Sequence, residues 1–117
     1  GVEFDLLGWD WYSQMEKEYG IDACLEDLMK YDMDVIFCET NISEAPEKYR
    51  AEYLSGLMKK LYNHPSGKVK GMIVYELMDE PTHDNEKERT YGLVCADEQG
   101  NAIGLKDAYL EIQKLLV

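Results

Sequence analysis

Blocks with the spacing of strands alternate along this chain with blocks that have the spacing of helices. No other feature limits the possible folds so strongly. Residues 4–9 (FDLLGW), 34–39 (DVIFCE) and 69–76 (VKGMIVYE) read as apolar strands. Between the first two, residues 21–31 put Ile21, Cys24, Leu25, Leu28 and Met29 at helical spacing. A second helix is expected after Ser43, with Pro46 in its first turn, running to Tyr62. Its stripe is Tyr49, Tyr53, Leu54, Leu57, Met58 and Leu61, and Asn63-His64-Pro65-Ser66-Gly67 stops it. Strands alternating with helices imply parallel pairing through right-handed crossovers. Strands 34–39 and 69–76 are apolar almost throughout, as expected where both faces of a sheet are covered. The expected fold is therefore α/β, a single domain of three parallel βα units spanning residues 1–117.

The remainder is less regular. Asp79 to Thr90 is polar and reads as an exposed loop. Tyr91 to Cys95 reads as a short extended piece, and Asp97 to Asn101 as a turn. A closing helix is expected over 105–116, with Leu105, Ala108, Tyr109, Ile112 and Leu116 on one side. Three parallel strands leave two long apolar edges. The expectation is a homo-oligomer, or neighbouring strands supplied from outside the chain.

Charge narrows the partners. Twenty-four acidic residues against 12 basic ones give a formal net charge of −12 over 117 residues. Such a surface repels nucleic-acid phosphates and anionic membranes alike. No apolar run approaches the ~20 residues of a transmembrane helix. Nothing reads as a signal peptide, and the start at Gly1 without an initiator Met reads either as an artificial remnant or as an internal cut, so localisation stays open. Cys24, Cys38 and Cys95 are odd in number and widely spaced, which suggests buried thiols rather than a disulfide framework. His64 and His83 are isolated, the first read as a cap and the second as solvent-exposed, so no metal site is expected.

In parallel α/β folds, function gathers at the carboxyl ends of the strands. The first strand ends in Gly8-Trp9-Asp10-Trp11-Tyr12, the second in Cys38-Glu39-Thr40-Asn41, and the third in Tyr75-Glu76-Leu77-Met78-Asp79-Glu80-Pro81. All three ends carry carboxylates, and two carry clustered aromatics. Carboxylates act as acid, base and nucleophile on glycosidic bonds, and flat rings stack on the apolar faces of sugars. The combination points to a carbohydrate site. Each residue also has a plainer reading: Trp9, Trp11 and Tyr12 as packing, Glu39 as a surface acid, and Glu76, Asp79 and Glu80 as the start of a solvated loop.

The same segments resemble the C-terminal part, about strands six to eight, of a (β/α)8 TIM-barrel retaining glycoside hydrolase. Phe4-Asp5-Leu6-Leu7-Gly8 followed by Tyr12 is similar to the sixth strand of that clan. Val35-Ile36-Phe37-Cys38-Glu39-Thr40 resembles the seventh, which ends in the nucleophile. Val69 to Leu77 resembles the eighth. Tyr91-Gly92-Leu93-Val94 with Asp97, Lys106 and Ala108-Tyr109 is similar to the closing segment. The resemblance implies Glu39 as nucleophile, Tyr12 flanking its carboxylate, Tyr75 as the sugar platform where the clan usually has Trp, and Glu76 and Asp79 as contacts to sugar hydroxyls. It implies a carbohydrate substrate and no metal or organic cofactor. The general acid/base of the clan lies on its fourth strand, outside this chain, so the chain alone is expected to lack full activity. Strand alternation is expected to turn Glu76 away from the face of Tyr75. The competing reading is a stand-alone α/β module that binds glycan or protein and self-associates without catalysis. A flavodoxin-like nucleotide binder is disfavoured by the absence of a Gly-rich strand-to-helix loop.

Overall fold

The structure is a computed structural model and describes residues 3–42 and 45–117. Gly1 and Ser43, the expected cut and helix start, lie outside the described residues. The elements run β1 (Leu6–Tyr12), α1 (Ser13–Glu18), α2 (Ile21–Met29), β2 (Asp34–Asn41), α3 (Glu47–Tyr62) and β3 (Val69–Val74). A 3-10 turn (Glu88–Thr90), β4 (Val94–Ala96), β5 (Ala102–Leu105) and α4 (Asp107–Leu116) follow. β1, β2 and β3 form one parallel sheet in that spatial order. β4 and β5 form a separate antiparallel pair.

One face of the parallel sheet is packed and the other is open. Trp11, Val35 and Phe37 are fully buried and share a cluster with Ile21, Cys24, Leu25 and Leu28 of α2 and Leu57 and Leu61 of α3. Both crossover helices therefore lie on the same side. This follows from the strand order: crossovers of one hand between successive neighbours return to one face. On the opposite face Leu6 and Ile73 are about half exposed, and Cys38 is exposed above Gly8. The expectation that both faces are covered is thus corrected; the apolar run of β2 is met by helices on one side only. Burial pushes the Cys24 thiol up to about 11, as desolvation penalises a thiolate.

A register slip shapes the end of β2. Trp9 pairs with Phe37 but Asp10 pairs with Glu39, so Cys38 is the extra residue of a bulge. Without it, Glu39 would follow Val35 and Phe37 onto the helix-facing side, because side chains alternate with period two. With it, Thr40 takes the buried position beside Trp11, and Glu39 falls on the side of Tyr12.

The second half is held differently. A smaller apolar cluster joins Ile42, Ala51, Leu54, Leu93 and Ala108, and polar bonds do much of the rest. The Arg50 side chain is buried in α3, where Arg50, Leu54, Leu57 and Leu61 share the inward stripe. Tyr49, expected in that stripe, is exposed. Arg50 Nη1 donates to the carbonyl of Gly92 at 2.9 Å and to Glu47 Oε2 at 3.2 Å. The other Glu47 oxygen accepts the Ala108 N–H at 3.0 Å, which satisfies an open donor of the first turn of α4.

Candidate functional site

The carboxyl ends of β1, β2 and β3 meet as the fold requires, and they bring Tyr12, Glu39 and Tyr75 together. The Tyr12 hydroxyl donates to Glu39 Oε1. Burial raises the Tyr12 pKa, and the bond to Glu39, followed by the charges at Glu39, Tyr91 and Asp10, raises it further. Tyr12 is accordingly a protonated donor at neutral pH, and an acid such as Glu39 is its natural acceptor. Tyr75 continues from β3, its N–H donating to the Thr40 carbonyl at 3.0 Å. Its phenol pKa is raised first by Glu76, then by burial and the charges at Glu80, Glu88 and Glu39. Glu39 is therefore within electrostatic reach of the Tyr75 hydroxyl.

Tyr75 meets Tyr91 edge to face, with ring centroids 6.3 Å apart and planes at 87°. Two aromatic rings thus stand nearly perpendicular, on segments bonded to Thr40 and Asn41 at the end of β2. The backbone behind them is fixed by Asn41, fully buried two residues after Glu39. Its Nδ2 donates to the carbonyls of Tyr75 and, at 3.0 Å, of Tyr91. Its Oδ1 accepts from Arg50 Nε at 3.1 Å, and Arg50 Nη2 donates to the Tyr91 carbonyl. The Tyr75–Glu76 peptide bond is cis.

Other expected site residues sit elsewhere. Trp11 is fully buried, its Nε1 donating to Tyr53 Oη at 2.8 Å, so it is core and not a ligand contact. Trp9 shares the helix-facing side of β1 and lines a cleft of about 540 Å³ with Tyr19, Asp27, Lys30 and Tyr31, away from Glu39. Its alternation with Asp10 puts it on the wrong side of the sheet for the site. Asp79 is a structural acid. Its Oδ1 accepts from Lys106 Nζ at 2.6 Å and from the Gly92 N–H at 3.0 Å, and both charged side chains are about 10 % exposed. Gly92 must be glycine here, since a Cβ would stand 2.1 Å from the Asp79 backbone nitrogen.

Glu76 is half-buried just beyond the last residue of β3, so strand alternation does not decide where it points. Its pKa is raised by burial and by the charge on Glu80. His83 is not simply solvated: its Nε2 stands 3.6 Å from Glu88 Oε2, and its carbonyl accepts from Arg89 Nε at 2.8 Å. Among the described residues no three His, Cys, Asp or Glu side chains gather as a metal site. No helix among them is long and apolar enough to cross a membrane.

Sequence reasoning missed Arg50, Glu47 and the role of Asn41. The available signal was Arg50 itself, an arginine in phase with Leu54, Leu57 and Leu61. A charge on an inward stripe needs buried partners. No protein-family model matches this chain, and no curated protein matches it.

Proposed function

We propose that this chain is the C-terminal segment, about strands six to eight, of a (β/α)8 retaining glycoside hydrolase, with Glu39 as its nucleophile. The observation that carries the reading is the Tyr12–Glu39 hydrogen bond at the carboxyl ends of parallel strands, with Tyr75 bonded through its backbone to Thr40, the residue after Glu39. The strand order supports it too. Successive neighbours with both helices on one face are what a singly wound barrel needs, whereas a doubly wound sheet reverses its order and uses both faces.

In the proposed reaction the Glu39 carboxylate attacks the anomeric carbon as the bond to the leaving oxygen breaks. A second carboxyl protonates that oxygen, on a strand that the resemblance puts outside this chain. Water, deprotonated by the same group, then cleaves the glycosyl–Glu39 ester with net retention. The two carboxyls of such an enzyme stand about 5–5.5 Å apart. The Tyr12 hydroxyl orients Glu39 by donating to one oxygen and leaves the other free to attack. The Tyr75 ring supplies the flat surface for a sugar, with less area than a Trp.

The test is covalent trapping. The full-length protein is treated with 2-deoxy-2-fluoroglycosyl fluorides of the gluco, galacto, manno and xylo series, digested and read by mass spectrometry. The expected result is one adduct, on the peptide carrying Glu39, and its loss in Glu39→Ala. Absence of any adduct, or an adduct on another carboxylate, would remove Glu39 from this role. The competing reading, a self-associating binding module, draws on the exposed Leu6 and Ile73. It would be favoured by an unlabelled protein whose light-scattering mass is a defined oligomer.

A further inference from the structure

Resting on that reading, we infer that Tyr91 is a second sugar-contact residue of the Glu39 site, held in place by Arg50 and Asn41 as positioning residues. The Tyr91 ring closes a corner with Tyr75 at 87°, so a sugar stacked on one ring meets the other at its edge. A single flat wall leaves a sugar free to slide in the plane of its ring, whereas two perpendicular walls fix it in two directions. The corner stands at the end of the strand that carries Glu39, because the Tyr75 N–H bonds the Thr40 carbonyl and Asn41 Nδ2 bonds the carbonyls of both Tyr75 and Tyr91.

Tyr91 lies on an irregular segment, so its place depends on tertiary bonds. Those bonds reach its backbone carbonyl, from Asn41 Nδ2 and Arg50 Nη2, and Arg50 also holds the next carbonyl, of Gly92. The Arg50 side chain is 4 % exposed. A buried guanidinium that spends its donors on consecutive carbonyls fixes a loop more tightly than packing alone, since leaving any of those donors unmade is costly. The same Asn41 holds the Tyr75 carbonyl, so both rings are set from the strand that carries Glu39. Tyr91 lies on no regular element; its juxtaposition with Tyr75 is what marks it.

The experiment uses the trapping reagents named above on the full-length protein and separates affinity from chemistry. For each variant, the trapping rate is followed against reagent concentration. Tyr91→Ala is expected to raise the half-saturating concentration about tenfold, with the maximal rate within about twofold, as loss of one aromatic contact implies. Tyr91→Phe, which keeps the ring, should recover most of that affinity. Arg50→Lys should weaken affinity in the same direction, with adduct still on Glu39. Arg50→Lys can fail to fold, but Tyr91→Ala spares every bond from Arg50 and Asn41, because those end on carbonyls. An unchanged half-saturating concentration in Tyr91→Ala, with wild-type protein labelled at Glu39, overturns this inference and leaves the proposed function standing. Unlabelled wild-type protein overturns both.

Discussion

The two halves of the molecule are stabilised by different physics. Through Val74 the chain is a sheet with helices on one face, and its centre is apolar: Trp11, Phe37, Val35 and Leu28 touch across three elements. Beyond Val74 the apolar cluster is small, and the segment is tied by polar groups: Asp79 with Lys106, Arg50 with the Tyr91 and Gly92 carbonyls, and Glu47 with the Ala108 N–H. The difference teaches where precision comes from. Apolar packing is non-directional and tolerates small shifts. Charged hydrogen bonds demand geometry, and here they hold the irregular segment that carries Tyr91 and abuts Tyr75.

The contrast can be broken most forcefully in the first half. Phe37→Ala should lower stability by about 3–5 kcal/mol in urea unfolding, the cost of a large cavity in a packed core. A loss below 1 kcal/mol would mean that this face is loosely filled. Next in size is the pair at the second half. Asp79→Ala strands a nearly buried ammonium and should cost about 2–3 kcal/mol. Adding Lys106→Met should restore a good part of that, since replacing both partners removes the unpaired charge. If the double variant is no better than the single, the pair is not what ties this segment.

Smallest is Glu76→Gln, which sharpens the electrostatic side of the comparison. The Glu76 pKa is raised above 4.5 in the folded state, so its contribution favours folding in acid and is lost as pH rises through the folded value. Gln imitates the protonated form. It should therefore stabilise slightly at pH 7, with the gain vanishing as the pH falls below 4.5. A constant gain across that range would assign the effect to something other than ionisation.

The sequence made the first half legible because its signals are periodic. β2 was expected over 34–39 and extends to Asn41. The two residues missed, Thr40 and Asn41, are polar and buried, and polarity hides a strand end from a hydrophobic pattern. β1 was expected to end at Trp9, but alternation continues through Tyr12. α1 was not foreseen, since none of its residues is buried and no stripe exists to read. β5 escaped for a like reason: all four of its residues are exposed. The stop after α3 and the start of β3 at Val69 stand where expected, because Pro, Gly and an apolar run are local evidence, but β3 ends at Val74, two residues short of the expected 76.

At the site, Tyr12 and Glu39, which the resemblance implies as neighbours, are hydrogen-bonded although 27 residues apart in sequence. Trp11 and Asp79 show the limit of such reading. Trp11 faces the interior by plain alternation with Leu7 and Trp9, legible only once β1 is known to run to Tyr12. Asp79 is committed by Lys106, 27 residues away, and that partnership has no local signature.

Glu47 has a consequence in time. Its two oxygens serve Arg50 and the Ala108 N–H, and a ribosome makes Ala108 sixty-one residues after Glu47. While the chain is being made, β1, α2 and β2 can already close on one another. Arg50, by contrast, must wait for the carbonyls of Tyr91 and Gly92, and Glu47 waits longer still. The segment that carries Tyr91 can thus be fixed only late in synthesis, after the strands that carry Tyr12 and Glu39 have been made.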